Sequence, residues 1–189
     1  MPDAGRVVAG SARSIRLEAP GKGTRPLGDR VKQTLFAILD PDLPGSRFLD
    51  LFAGSGAAGI EALSRGAGEA TFVERDADAV RVIAANLART HLAERGRVVR
   101  AEALAWLVDG ARDREPPVTI AFVDPPYDEP QALRAALEAV GPRLAPGARV
   151  VAKHFWRDTP PATVGLLASE RDRRFGETAL TFYRRTEDG

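Results

Sequence analysis

Between residues 47 and 154 the chain alternates short apolar runs with segments of helical period. The runs Arg47–Leu51, Ala70–Glu74, Arg97–Ala101, Val118–Asp124 and Ala148–His154 read as strands. Between them, Ala58–Arg65, Ala77–Leu92, Ala103–Ala111 and Pro130–Val140 read as helices. In the 77–92 segment Val80, Ile83, Ala84 and Leu87 form one apolar stripe and predict a core-facing side. Upstream, Arg6–Ala9 and Ser14–Leu17 flank Gly10-Ser11-Ala12-Arg13 and predict a hairpin. The stretch Gly21–Gly28 reads as a loop. A helix over Arg30–Leu39 follows, with Val31, Leu35, Ile38 and Leu39 on one face and Asp29 as its cap. Downstream, 165–173 and 178–184 have no helix between them and predict an antiparallel hairpin at the sheet edge. The fold class is therefore α/β, a mostly parallel sheet covered on both faces.

In such sheets ligands bind beyond the carboxyl ends of the strands. Asp50, Glu74, Glu102 and Asp124 all fall at or just past those ends. The first strand runs into Gly54-Ser55-Gly56-Ala57-Ala58-Gly59, a G-x-G-x-x-G between strand and helix. A pyrophosphate needs bare N–H groups at the helix start, and a neighbouring carboxylate repels it. Asp50 stands four positions before Gly54 and suits a cation instead. S-adenosylmethionine carries an ammonium and a sulfonium and has no phosphate, so it fits better than NAD. Glu74, twenty positions after Gly54, is spaced for ribose hydroxyls, which both cofactors have. Glu102 and the Ala103 backbone fall where an adenine amine is held; an ordinary helix-start acid is the alternative.

The fourth strand ends in Asp124-Pro125-Pro126-Tyr127. The prolines fix the backbone, and the first biases Asp124 toward an extended conformation. The Asp124 carboxylate and Pro125 carbonyl can then accept from one exocyclic amine, while Tyr127 offers a stacking face.

Composition narrows the chemistry. The chain has no cysteine, which removes disulfides, thiolate metal sites and iron–sulfur chemistry. It also removes the nucleophile needed to methylate carbon five of a pyrimidine. The two histidines, His91 and His154, do not make a metal site, and His91 reads as the end of a helix. Metal-independent transfer to nitrogen remains. No run of eighteen apolar residues suggests a membrane span, and no signal-peptide core opens the chain. Cytoplasm is the expected location. The formal net charge of +1 divides unevenly, since residues 1–32 carry +4. A basic arm of this kind suits a phosphate backbone.

The chain resembles RsmD-type small-subunit rRNA guanine-N2 methyltransferases. The resemblance rests on Arg6-Val7-Val8-Ala9-Gly10-Ser11-Ala12-Arg13, Thr24-Arg25-Pro26, Asp29-Arg30-Val31 and Leu49-Asp50-Leu51-Phe52-Ala53-Gly54-Ser55-Gly56. Glu61-Ala62-Leu63-Ser64-Arg65-Gly66-Ala67, Val123-Asp124-Pro125-Pro126-Tyr127 and Gly176-Glu177-Thr178 extend it over nearly the whole chain. The glycine loop and Asp-Pro-Pro-Tyr are common to many amino-methyltransferases; the N-terminal segments are the specific part. Three departures stand out. Glu102 replaces an expected Asp or Asn, Lys153-His154 stands where many relatives carry an acid, and Leu27-Gly28 replaces Thr-Ser.

The resemblance implies a Rossmann-like class I methyltransferase domain over 29–189 and an N-terminal RNA-contacting hairpin over 1–28. Its expected partner is 16S rRNA in the small ribosomal subunit, and its expected state is monomeric. The expected cofactor-binding set is Asp50, Phe52, Ala53, Gly54, Gly56, Glu74, Arg75, Glu102, Ala103 and Asp124, with S-adenosylhomocysteine as product. Asp124, Pro125 and Tyr127 are the catalytic candidates. Arg13, Arg16, Arg25, Arg30, Pro126 and Tyr127 are the RNA candidates, and Lys153, His154 and Trp156 are candidates for the pocket's far wall. The alternatives are a DNA adenine-N6 methyltransferase, a nicotinamide oxidoreductase and a non-catalytic RNA-binding assembly protein.

Overall fold

The alternating pattern builds a single eight-stranded sheet. The structure, a computed structural model, describes residues 3–21, 27–109, 116–127 and 129–186. The chain opens with a two-stranded ribbon, β1 (Asp3–Arg6) and β2 (Arg16–Glu18), then helix α1 (Asp29–Leu39). There follow β3 (Arg47–Leu51), α2 (Ala57–Ser64), β4 (Glu69–Glu74), α3 (Ala77–Arg89) and β5 (Gly96–Arg100). Next come α4 (Ala103–Val108), β6 (Val118–Val123), α5 (Pro130–Val140) and β7 (Leu144–Phe155). The last strands are β8 (Thr163–Val164), β9 (Leu167–Phe175) and β10 (Thr178–Arg185).

The order in the sheet is β5-β4-β3-β6-β7-β10-β9-β8, with β3 to β7 parallel. The C-terminal hairpin forms as expected, but the final strand β10 inserts beside β7 and leaves β9 outside it. Burial explains the order. Ala179–Tyr183 of β10 is buried throughout, whereas Glu170–Arg174 of β9 is charged and exposed. Charge on a near-edge strand discourages pairing with other chains.

Two apolar layers flank the sheet. One holds Leu35, Phe36, Phe48, Ile60 and Phe72; the other holds Leu51, Trp106, Leu137, Val150 and Tyr183. Ala4, Val7, Ala12 and Leu17 of the N-terminal segment belong to the first layer.

Several expected details shift. The face of α1 buries Lys32, Leu35, Phe36 and Leu39, while Val31 and Ile38 are only partly buried. Lys32 is tolerated inside because its ammonium bonds the Arg6 carbonyl and pairs with Asp29 at 3.5 Å. Asp29 therefore does not cap α1; Gly28 precedes the helix without a side-chain cap. On α3 the buried residues are Ala79, Ile83, Asn86 and Leu87, and Ala84 is exposed. Asn86 is inside because its amide reaches the Glu18 backbone and the Ser55 carbonyl. Helix α3 stops at Arg89 rather than Leu92, with His91 left-handed just beyond it.

The N-terminal strands lie further out than Arg6–Ala9 and Ser14–Leu17, because α2 takes the intervening backbone. Buried Glu61 accepts from the Val8 and Ala9 N–H groups at 2.7 and 3.0 Å. Ser64 accepts from Ser11 N–H at its carbonyl and from Ala12 N–H at its hydroxyl, and donates to the Ala9 carbonyl. Gly10 lies at φ +84, and a Cβ there would sit 1.8 Å from the Ser64 oxygen. Two segments that the resemblance singled out, Ala9–Arg13 and Glu61–Ala67, are thus two halves of one contact.

Candidate active site

Strand β3 delivers Asp50 beneath the glycine loop. The residue is buried, and its Oδ2 accepts from Gly59 N–H in the first turn of α2 at 2.9 Å. One N–H at the helix start is thus taken by the protein's own carboxylate, a charge that a dinucleotide pyrophosphate would meet there. Burial pushes the Asp50 carboxyl well above the usual range; the Gly59 bond opposes this, and the nearby Asp124 and Glu74 charges add to it. A cationic ligand relieves such crowding of acids.

The loop itself is strained. Phe52 takes a left-handed φ of 62°, rare for a bulky side chain, and Gly54 and Gly56 follow at 56° and 76°. Glu74, at the end of β4, is fixed by two backbone donors. Gly54 N–H reaches it at 2.9 Å and Asp76 N–H at 2.8 Å.

A cavity of about 510 Å³ opens at this edge. Its lining includes Asp50, Phe52, Ala53, Gly54, Glu74, Arg75, Glu102, Ala103, Asp124, Pro125, Pro126, Tyr127 and Lys153. Gly56 is the one candidate cofactor residue that does not line it. Its left-handed turn starts α2, and a Cβ there would press on Ile83 at 3.2 Å. Glu102 lines the rim but also caps α4, accepting from Ala105 N–H at 2.7 Å. Arg75 is exposed and paired with Glu129 at 3.1 Å, which raises its pKa. Ala4, Ala19 and Leu27 also line the cavity, so the N-terminal segment forms part of its wall.

Asp124 does not stand alone. Lys153, at the end of β7, donates to both of its oxygens at 2.7 and 2.9 Å. Burial raises the Asp124 pKa and Lys153 partly offsets it. The Lys153 ammonium loses solvation, but the Asp124 charge outweighs this and raises its pKa. The ammonium also lies 4.9 Å from the centre of the Tyr127 ring. The Tyr127 hydroxyl shares a hydrogen bond with Thr178 at 2.9 Å.

Of the three far-wall candidates, Lys153 alone lines the cavity. His154 is turned into the sheet, bonded to the Phe155 carbonyl and Thr181, and burial lowers its pKa. Lys153 was legible only as a departure from the resemblance; its partnership with Asp124 needed the β6–β7 pairing.

Among the RNA candidates, Arg13 and Arg30 are exposed. Arg16 pairs with Asp3 at 2.6 Å, and Arg6 pairs with Asp29 at 3.0 Å, so part of the arm's charge is internally compensated. Arg25, with Thr24 and Pro26, lies outside the described residues.

The residues fit S-adenosylmethionine. Asp50 takes up an N–H at the start of α2 that a pyrophosphate would use, Glu74 is held beside the glycine loop by Gly54 N–H, and Asp124 lines the same cavity.

Comparison with known proteins agrees. The family model described as Conserved hypothetical protein 95 matches residues 5–184. The Bacillus subtilis protein YlbH, a candidate rRNA methyltransferase, is 39% identical over 183 residues, covering 95% of this chain and 98% of YlbH. The Escherichia coli protein named Ribosomal RNA small subunit methyltransferase D is 42% identical over 123 residues, 65% of this chain and 60% of that one. The solved structure of the Escherichia coli candidate methyltransferase yhhF superposes with a TM-score of 0.85 at 32% identity, covering 96% and 97% of the two chains. The chain belongs to the Conserved hypothetical protein 95 family, that of the RsmD-type, S-adenosylmethionine-dependent methyltransferases.

Proposed function

We propose that this protein methylates the exocyclic N2 amine of a guanine in 16S rRNA, acting on the small ribosomal subunit or its assembly intermediate. One observation carries the reading. Asp124, Pro125 and Tyr127 open onto the same cavity as the acids and glycine loop of the cofactor side. The small-subunit rRNA named in the Escherichia coli relative supports the substrate class.

S-adenosylmethionine supplies an electrophilic methyl group on its sulfonium. The remaining work falls to the protein. The target guanine is flipped out of its helix or loop, and Tyr127 offers it a stacking face. The bond to Thr178 holds that ring in position. The N2 lone pair is delocalised into the base, so the amine is a poor nucleophile. Asp124 and the Pro125 carbonyl accept its hydrogens and draw N2 toward tetrahedral geometry. Each carboxylate oxygen has more than one acceptor site, so Asp124 serves the amine while keeping Lys153. Positioning and electrostatics supply most of the acceleration. The departing proton goes to Asp124 or to water.

Lys153 sets the acid limit of this site. Asp124 accepts from the amine as a carboxylate, so activity falls as pH drops through its raised pKa. Lys153 opposes that rise. In Lys153→Met burial acts unopposed, and the acid limb of kcat/KM moves to higher pH. A limb that stays in place shows that Lys153 does not tune Asp124.

The decisive assay is transfer from labelled S-adenosylmethionine to unmodified small subunits, with mass spectrometry of the digested nucleosides. N2-methylguanosine is the expected product. No transfer to subunits, with N6-methyladenine formed on DNA, would discard the rRNA reading and keep the Asp124 chemistry.

A further inference from the structure

A line of rings leads out of the base pocket along the sheet edge. The Tyr127 and Phe155 centroids are 6.4 Å apart, and those of Phe155 and Trp156 are 6.2 Å apart. Trp156 ends the line under two arginines. The guanidinium of Arg174 lies 3.7 Å from its ring centre and that of Arg157 lies 4.9 Å from it.

The position is built rather than incidental. Trp156 N–H donates to the Glu177 carbonyl at 3.0 Å, tying the end of β7 to the turn between β9 and β10. Arg174 Nε donates to the Gly176 carbonyl in that turn at 2.9 Å. Thr178, the first residue of β10, holds the Tyr127 hydroxyl. One turn therefore positions the stacking ring of the pocket, Trp156 and Arg174.

The two arginines differ in charge balance from those at the other end of the same strands. There Arg149 and Arg184 are both paired with Glu170. Arg157 and Arg174 are exposed, and among the described residues neither forms an ion pair. A guanidinium stacked on indole is pre-oriented and weakly hydrated, and its in-plane N–H groups point away from the ring. That arrangement suits bidentate contact with phosphate. Basic groups beside stacked aromatic rings are the usual platform for a single strand.

We propose that Trp156, Arg157 and Arg174 form a second RNA-binding site, gripping backbone phosphates of the strand next to the flipped base. The inference rests on the RNA methyltransferase reading above. It places a grip at the C-terminal hairpin, separate from the N-terminal arm. A strand with its base against Tyr127 must leave the pocket, and Phe155 and Trp156 are the next rings it meets.

The test uses the full-length protein and unmodified small subunits. Methyl transfer is measured across a salt series for wild type, Arg157→Ala/Arg174→Ala, Trp156→Ala and Trp156→Phe. S-adenosylhomocysteine affinity is measured by calorimetry alongside. The double variant is expected to keep kcat and S-adenosylhomocysteine affinity while KM rises roughly tenfold. Its log–log salt dependence should flatten by about 1.5, the loss of two phosphate contacts. Trp156→Ala should resemble the double variant, and Trp156→Phe, which keeps a ring, should retain most of the grip. Wild-type KM and salt slope in the double variant overturn the proposal. So does a loss of S-adenosylhomocysteine affinity in parallel with KM, which marks a structural role. If wild-type protein transfers no methyl to subunits, the RNA reading itself has failed and this inference falls with it.

Discussion

Asp124→Ala is expected to lower methyl transfer by at least about a hundred- to a thousandfold, the range for removing one preorganised transition-state contact. Cofactor affinity should change little, because Asp50 keeps its Gly59 N–H partner and Glu74 keeps those of Gly54 and Asp76. The variant also strands a buried ammonium. Lys153 loses the partner on which both of its short bonds depend, and breaking a buried pair from one side costs roughly 3–5 kcal/mol. Two further variants separate the effects. Asp124→Ala/Lys153→Met removes the stranded charge, so thermal stability should recover while activity stays lost. Asp124→Asn keeps one acceptor oxygen and should fall between wild type and Ala. Single-turnover transfer, calorimetry with S-adenosylhomocysteine and thermal melts together read these outcomes. Near-normal turnover in Asp124→Ala would falsify the proposed role of the carboxylate.

A comparable effect on stability is expected far from the reacting atoms, at Glu61. Its carboxylate is fully buried and serves Val8 N–H, Ala9 N–H and Arg65 Nε. Glu61→Ala leaves all three without that acceptor. An orphaned buried donor costs about 1–3 kcal/mol; these donors are part-buried, so a total near 4 kcal/mol follows. For a chain of this length that lowers Tm by roughly 10 °C. Cofactor affinity should fall as well, because the detached segment carries Ala4 and Ala19 of the cavity wall. Glu61→Gln keeps one oxygen acceptor and should lose less. A loss below about 1 kcal/mol in Glu61→Ala would show that burial of Val7, Ala12 and Leu17 alone holds the segment.

The contrast between these residues shows where reading the sequence stops. Asp124 was legible because a strand ending in Asp-Pro-Pro-Tyr is a local feature, with short-range backbone restraints of its own. Glu61 is legible only as part of a segment that carries the resemblance, with no role of its own, since the backbone groups it serves are more than fifty positions away. The same holds for Asn86 and Lys32. Periodicity puts polar residues outside, and these two are inside because distant backbone groups satisfy them. The stripes expected on α1 and α3 were rotated for that reason.

By itself the sequence determined the α/β class, the order of elements, the strand ends on which the acids fall and the choice of a cationic, phosphate-free cofactor. All of these follow from side-chain period and from residue type at fixed short spacing, which act locally. The tertiary structure decided the rest. It inserted β10 beside β7, joined Lys153 to Asp124, tied the N-terminal segment to α2, and brought Trp156, Arg157 and Arg174 together beside the pocket. Each of these joins groups on separate strands, helices or loops. A contact of that kind is selected by burial and hydrogen-bond satisfaction across the whole fold, so no local window of the chain contains it.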